Sequence, residues 1–313
     1  MRFARKSLLA GAVLVCTVLI ARTLFAQSLH GVWTATAGAE IVDLSISYGT
    51  LDSHNTNGRT LPMSRLVGLA ESQVAAVIEQ SVTFRIEGDA GSITFTGSFR
   101  MREGSGHFSF EPNDRFAAAV RALGIEVDGE EPFTKERLFH YALNGLTTSY
   151  IRSMQEVGYR KESLQQYNRM AIFQVTPATV RELDQLGYRS LPAGDLVRMR
   201  IHGVTADYIR AMQKAGFRNL SVEDLVRSRI HGVTPEFAAS MASFGYPNLT
   251  MEQLVRFRIH GVNAEYVRGL QDLGYRNVPA EDLVRMRIHG VSLEFVKELQ
   301  TLGYHNVTSD DLT

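Results

Sequence analysis

Four arginines and four histidines recur inside one phrase. Arg-Ile-His-Gly-Val stands at 200–204, 229–233, 258–262 and 287–291. It sets up a row of arginines, Arg200, Arg229, Arg258 and Arg287, and a row of histidines, His202, His231, His260 and His289. Imidazoles at a fixed interval could ligate metal, guanidiniums could hold an acidic partner, and both could merely mark how one structural unit ends. Zinc needs all its ligands about 2.0–2.3 Å from one ion, whereas equivalent residues of stacked helical layers lie about 8–10 Å apart. The four histidines therefore cannot share a site, and no repeated cysteine or second histidine exists to complete four separate ones. No metal and no cofactor are expected.

A helix terminus explains the histidines. Glycine supplies the left-handed residue that closes a helix, valine folds back as its hydrophobic stop, and histidine is the C-cap, where an imidazole suits the negative end of the dipole. The arginines are harder. Drawn at about 100° per residue, Arg229 falls among Leu225, Val226 and Val233, and a charge on an apolar stripe needs a partner or an exit to water. Two readings stay open. The arginine bonds helix-terminal carbonyls or a carboxylate of the adjacent unit, or the four arginines line one edge as a ladder for an acidic partner. Earlier units carry Ala142 and Ala171 at that position, which weakens the ladder.

The rest of the chain offers little chemistry. No His-Glu-x-x-His, Gly-x-Ser-x-Gly, glycine-rich phosphate loop or cysteine nucleophile occurs, and most carboxylates stand at helix starts, where the dipole accounts for them. A noncatalytic chain is expected.

The phrase belongs to a longer period. Residues 205–233, 234–262 and 263–291 are successive 29-residue units, and Gly158, Gly187, Gly216, Gly245, Gly274 and Gly303 fall in the same register. A looser version ends at Gly124. Each unit reads as two short helices. Thr205 caps the first, Pro177 and Pro235 take the first helical position, and Ser221 opens the second in capping-box order. After Gly216, Phe217 folds back on Met212, as Tyr246 does on Met241. Tyr208, Ile209 and Met212 form the first apolar face, and Val222, Leu225, Val226 and Ile230 the second. Glu223 with Arg227, Glu252 with Arg256 and Glu281 with Arg285 are spaced as intrahelical ion pairs. One stripe per helix cannot be buried within a unit, so the units must stack as an α/α solenoid.

Residues 27–110 alternate with period two instead: Val42, Leu44, Ile46 and Tyr48, then Val82, Phe84 and Ile86, then Ile93, Phe95, Phe99 and Met101, then Phe108 and Phe110. With turns at 87–92 and 102–106, this is an antiparallel meander of about five strands with one apolar face. Residues 63–80 read as a loop and short helix. Gly31 and Trp33 match the opening of ligand-binding barrels, but five strands are too few to close, so the apolar face should pack on the first helices of the solenoid.

The fold expected is α+β: a small antiparallel β-meander over 27–110 and an α/α solenoid over 111–313, strict from about 143. Arg2, Arg5 and Lys6 precede 14 uncharged residues from Leu8 to Ala21, and Ala26 suits cleavage. Residues 1–26 thus read as a signal peptide or an N-terminal anchor, and the chain as periplasmic or secreted, with 8–21 the sole membrane contact. Cys16 is the single cysteine, so the remainder forms no disulfide. Beyond residue 26 the chain carries 29 basic against 33 acidic residues, which argues against nucleic acid as a partner.

The stretch "DLVRMRIHGVT" followed by "EYVRGLQDLGY" resembles repeats of exported regions attached to antirepressor-type M56 metallopeptidases, the sensor-transducer family that includes the β-lactam sensors. The similarity covers about 134–313, and "GSFRMREGSGHFSFEPN" is similar to the segment preceding such repeats. It implies an envelope protein of sensing or interaction. Peptidase activity does not carry over, because the zinc motif and multi-span membrane domain are missing from this sequence. The function expected is a scaffold binding a protein or peptide partner through the solenoid; the alternative is a sensor module binding a small ligand at the β domain.

Overall fold

The computed structural model describes residues 29–50, 53–127, 133–305 and 307–313, so the signal or anchor at 1–26 lies outside the described residues. The chain is α+β and divides into two compact units, 1–172 and 173–313. Among the described residues no helix is long and apolar enough to cross a membrane.

The first unit is built on six antiparallel strands: β1 Leu29–Ala37, β2 Ile41–Thr50, β3 Ser53–Pro62, β4 Gln80–Gly88, β5 Gly91–Arg100 and β6 Glu103–Pro112. Their order is β3-β2-β1-β6-β5-β4, two three-stranded meanders joined where β1 pairs with β6. The sixth strand is β3, which the sequence pattern missed. It is an edge strand with Leu61 as its buried apolar residue, so the backbone ladder to β2 and the Thr60 hydroxyl donating to Asp43 stand in for a hydrophobic face. The order β3 to β4 leaves two edges, so the sheet is open rather than a barrel.

Every second residue points inward. Trp33, Leu44, Ile46, Phe84, Phe95, Phe99 and Phe110 are each almost fully buried. Register aligns Trp33 with Gly106, and Gly106 with Gly97. A Cβ at Gly97 would lie 2.1 Å from the Ser105 carbonyl oxygen, and one at Gly106 2.0 Å from that of Thr96. The indole Nε1 donates to the Thr96 and His107 carbonyls at 3.3 and 3.1 Å.

The apolar face is closed by the helix Lys135–Asn144, as its pattern predicts. Phe139, fully buried, lies 5.2 Å from Tyr48, 5.4 Å from Phe108 and 5.6 Å from Phe110, ring to ring. The connections between strands also hold helix ends. Asp89 accepts from the Thr148 backbone N–H at 2.7 Å, an anion at the positive end of the helix Thr148–Glu156. Arg65 donates to the Ala142 and Leu143 carbonyls at 3.2 and 3.3 Å, a cation at a negative end.

His140 Nε2 lies 2.9 Å from the Tyr48 hydroxyl. Burial pushes its pKa down, Arg59 pushes the same way and Glu136 opposes. The unfolded imidazole titrates near about 6.5, so below that pH the unfolded chain takes up a proton that the folded unit resists. Stability should fall as pH drops through that value and level off once the folded imidazole is protonated. Melting followed by the fluorescence of Trp33, the single tryptophan, between pH 7.5 and 5 at about half-unit steps checks this. His140→Gln, which keeps a hydrogen-bonding group but does not titrate, should flatten part of the slope.

The second unit is a stack of paired helices. A helices run Pro177–Gln185, Ala206–Lys214, Pro235–Ser243, Ala264–Asp272 and Leu293–Thr301; B helices run Ala193–Ile201, Val222–Ile230, Met251–His260 and Ala280–Ile288. Successive B helices pack on one another, as do the first two and last two A helices. Caps are as the sequence implies. Thr205 and Thr234 accept from the backbone three residues on, and Ser221 with Asp224 forms a capping box. Gly203, Gly232, Gly261 and Gly290 are left-handed, and the Val204 N–H returns to the Met199 carbonyl at 2.8 Å, a Schellman closure.

The B-helix face needs correction. Leu225, Val226 and Ser228 are the fully buried side of Val222–Ile230, while Ile230 is 52% exposed. Ile201, Ile259 and Ile288 are exposed in the same way. In a nine-residue helix the neighbouring layers, not the stripe, decide which side is covered. Ser228 fits inside because its Oγ lies 2.7 Å from the Tyr208 hydroxyl and donates to the Leu225 carbonyl at 2.8 Å.

Candidate functional site

The four arginines reach backwards. Arg258 Nε donates to the His231 carbonyl at 3.3 Å, Arg287 Nε to that of His260 at 3.3 Å, and Arg200 Nε to that of Phe173 at 3.0 Å. The acceptors of Arg258 and Arg287 lie at the negative end of the preceding B helix. Three of the guanidiniums also stack on an aromatic ring of the intervening A helix: Arg229 4.9 Å above Tyr208, Arg258 4.9 Å above Phe237 and Arg287 4.8 Å above Tyr266. Tyr266 is itself buried, which pushes its pKa up to about 12 although Arg287 opposes the shift. Its hydroxyl stays a donor and reaches the Val291 carbonyl at 3.0 Å. Gly232 serves twice, through a φ of 69° and through room for Arg258, whose Nη2 would lie 3.0 Å from a Cβ there. Arg229 and Arg258 are exposed, and Arg200 and Arg287 half-buried, so the charge sits at the rim rather than on the apolar stripe.

The other arginine of each B helix reaches forward. Arg227 pairs with Glu252 of the next unit at 2.7 Å, and Arg198 with Glu223, Arg256 with Glu281 and Arg285 with Asp310 pair likewise. This corrects the intrahelical pairing read from the spacing of Glu223 and Arg227, because the guanidinium finds the neighbouring layer's carboxylate instead. These pairs are solvent-exposed and fix the stagger between layers more than they stabilise it.

The histidines end helices. His202, His231 and His289 occupy C-cap positions, and His260 is the last helical residue before Gly261. The chain brings no two of these histidines together at one site; each stays in its own layer.

A parallel device in the A helices escaped the sequence reading. Gln213 donates to the Leu186 carbonyl at 3.4 Å, Gln271 to that of Phe244 at 2.9 Å, and Gln300 to that of Leu273 at 2.8 Å. Each glutamine stands three residues before its capping glycine and bonds the carbonyl 27 residues back, the same offsets that Arg258 and Arg287 use. The shared distance to glycine was the available signal. The B helices therefore use arginine where the A helices use glutamine for one bond. Arg287→Gln should keep that bond and lose only the ring stacking, about 0.5–1 kcal/mol, whereas Arg287→Ala should lose about 1 kcal/mol more. Thermal melts by far-ultraviolet circular dichroism separate them, and equal losses would refute the interchangeability.

On the sheet, the inner apolar face is filled by Phe139 and its neighbours. The solvent side has open hollows, one of about 440 Å³ along Thr34, Thr36, Asp43, Arg59 and Glu103, and another of about 400 Å³ along His30, Val32, Thr94, Thr96 and His107. Both are open to solvent and mixed in character, with Ala35 and Leu44 also lining the first and Phe108 the second. No family model, curated protein or solved structure matches this chain.

Proposed function

We propose that this chain is a noncatalytic, exported interaction scaffold that binds a protein or peptide partner through the stacked helices of 173–313. The observation that carries this reading is the row of isoleucines Ile201, Ile230, Ile259 and Ile288, 48–56% exposed at a constant 29-residue interval. Single exposed aliphatics are ordinary, but an evenly spaced row at the ends of helices that otherwise expose no large apolar side chain is a surface that a partner would cover. The resemblance of the repeats to exported regions of sensor-transducers agrees with such a role. A pocket for a small ligand on the β unit finds less support, since the apolar strand faces are already covered and the hollows outside them are wide open to solvent and enclose nothing.

Site-specific photo-crosslinking tests the reading. A photoreactive residue in place of Ile230, in the full chain within its native envelope, should give a reproducible protein adduct that the same residue in place of Thr96 does not. Absence of an adduct from position 230, or adducts from position 96 instead, would overturn it.

A further inference from the structure

We infer that the arginine row and the isoleucine row together form a binding strip for an extended acidic peptide, one that presents a carboxylate and an aliphatic side chain at every third residue. The inference rests on the scaffold reading and names its partner.

Three observations carry it. First, the structural task of Arg200, Arg258 and Arg287 requires one N–H donor to one carbonyl, and the A helices accomplish it with uncharged glutamine. The positive charge of the B helices exceeds that need, yet it stands in all four. Second, the charge is uncompensated. Residues 173–313 hold 16 basic and 16 acidic residues, but among the described residues none of the four arginines is in an ion pair, while Arg198, Arg227, Arg256 and Arg285 all are. Ring stacking and the Nε bond together orient Arg258 and Arg287, the Nε bond orients Arg200 and the ring orients Arg229, and among the described residues the Nη groups of all four have no protein acceptor. A fork so held is preorganised for carboxylate. Third, the residue after each arginine is an exposed isoleucine, whereas the residue after Gln213, Gln271 and Gln300 is Lys214, Asp272 or Thr301. Charge and apolar surface thus alternate along the same line of layers.

The spacing selects the ligand. Stacked helices repeat every 8–10 Å or so, and three residues of extended or polyproline chain cover about 9–10 Å. Four layers then read about ten to twelve residues. A polyuronate could match the charges, but it has no aliphatic groups for the isoleucines.

The test uses the full chain and a synthetic peptide, (Glu-Leu-Pro)4, whose polyproline helix keeps its glutamates on one edge and its leucines on another. Fluorescence anisotropy should show saturable binding that weakens steeply with salt. Changing every glutamate of the peptide to glutamine, or every leucine to serine, should each weaken binding about tenfold or more. Arg258→Gln with Arg287→Gln, and separately Ile230→Ser with Ile259→Ser, should do the same, and the peptide variants test charge and apolarity without altering the protein's fold. Binding indifferent to the glutamate or leucine changes overturns the inference, as does a polyuronate that binds equally well and ignores Ile230→Ser with Ile259→Ser. Failure of the peptide while position 230 still crosslinks a protein overturns the acidic strip alone and leaves the scaffold reading standing.

Discussion

Phe139→Ala should cost the first unit about 3–5 kcal/mol, enough to leave it largely unfolded at modest temperature. The ring is fully buried and packs the helix Lys135–Asn144 against Tyr48, Phe108 and Phe110. Alanine removes the transfer energy of the ring, its edge and stacked contacts, and leaves a cavity that three aromatic neighbours on a rigid sheet cannot close. Trp33 is 1% exposed among Phe84, Phe95 and Phe99, so its emission should shift to the red at a lower denaturant concentration than in the parent protein. Phe139→Leu, which keeps most of the apolar volume, should lose less. If alanine moved the Trp33 transition by less than about 1 kcal/mol, the helix would not be what holds the sheet's inner face.

Leu254→Ala should produce the second large loss, about 2–5 kcal/mol, with a different spatial signature. Leu254 is 1% exposed in the B helix Met251–His260, which packs on both Val222–Ile230 and Ala280–Ile288. In a stack each layer is stabilised by its neighbours, so a lesion in a middle layer weakens two interfaces at once. Amide hydrogen exchange followed by mass spectrometry should therefore rise over Met251–His260 and over both flanking B helices, while 29–112 stay at parental rates. A rise confined to the substituted helix, or one spread evenly over the chain, would contradict nearest-neighbour coupling.

Much of this molecule is local, and local features are readable. The caps at Thr205, Ser221 and Pro235, the left-handed glycines and the alternation along β1, β2, β4, β5 and β6 each depend on residues close in sequence, and each lies where its pattern puts it. What went unread is tertiary. Ser53–Pro62 is a strand because β2 offers it a ladder, not because its side chains demand one. Arg227 chooses Glu252 over Glu223 because the next layer lies beside it. Ile230 is left outside because neighbouring B helices cover the Leu225 and Val226 side, and nine residues are too few for the apolar stripe alone to decide. The arginine row was legible as a problem but not as an answer, since both its carbonyl acceptors and its aromatic supports belong to preceding units or to other helices.

Arg65 shows how the array begins without a predecessor. Gly145 closes the first B-type helix with a φ of 75°, and 26 residues on, where Arg258 follows Gly232, the chain has Ala171. The guanidinium missing there is lent by the short 3-10 helix Met63–Arg65 that follows β3: Arg65 Nη1 would lie 3.1 Å from a Cβ at Gly145, and burial pushes its pKa down. The β unit thus impersonates a repeat at the one contact where a repeat is wanting. Whole 29-residue modules could then be gained or lost farther along without disturbing this junction, which makes the number of rungs an independently adjustable quantity.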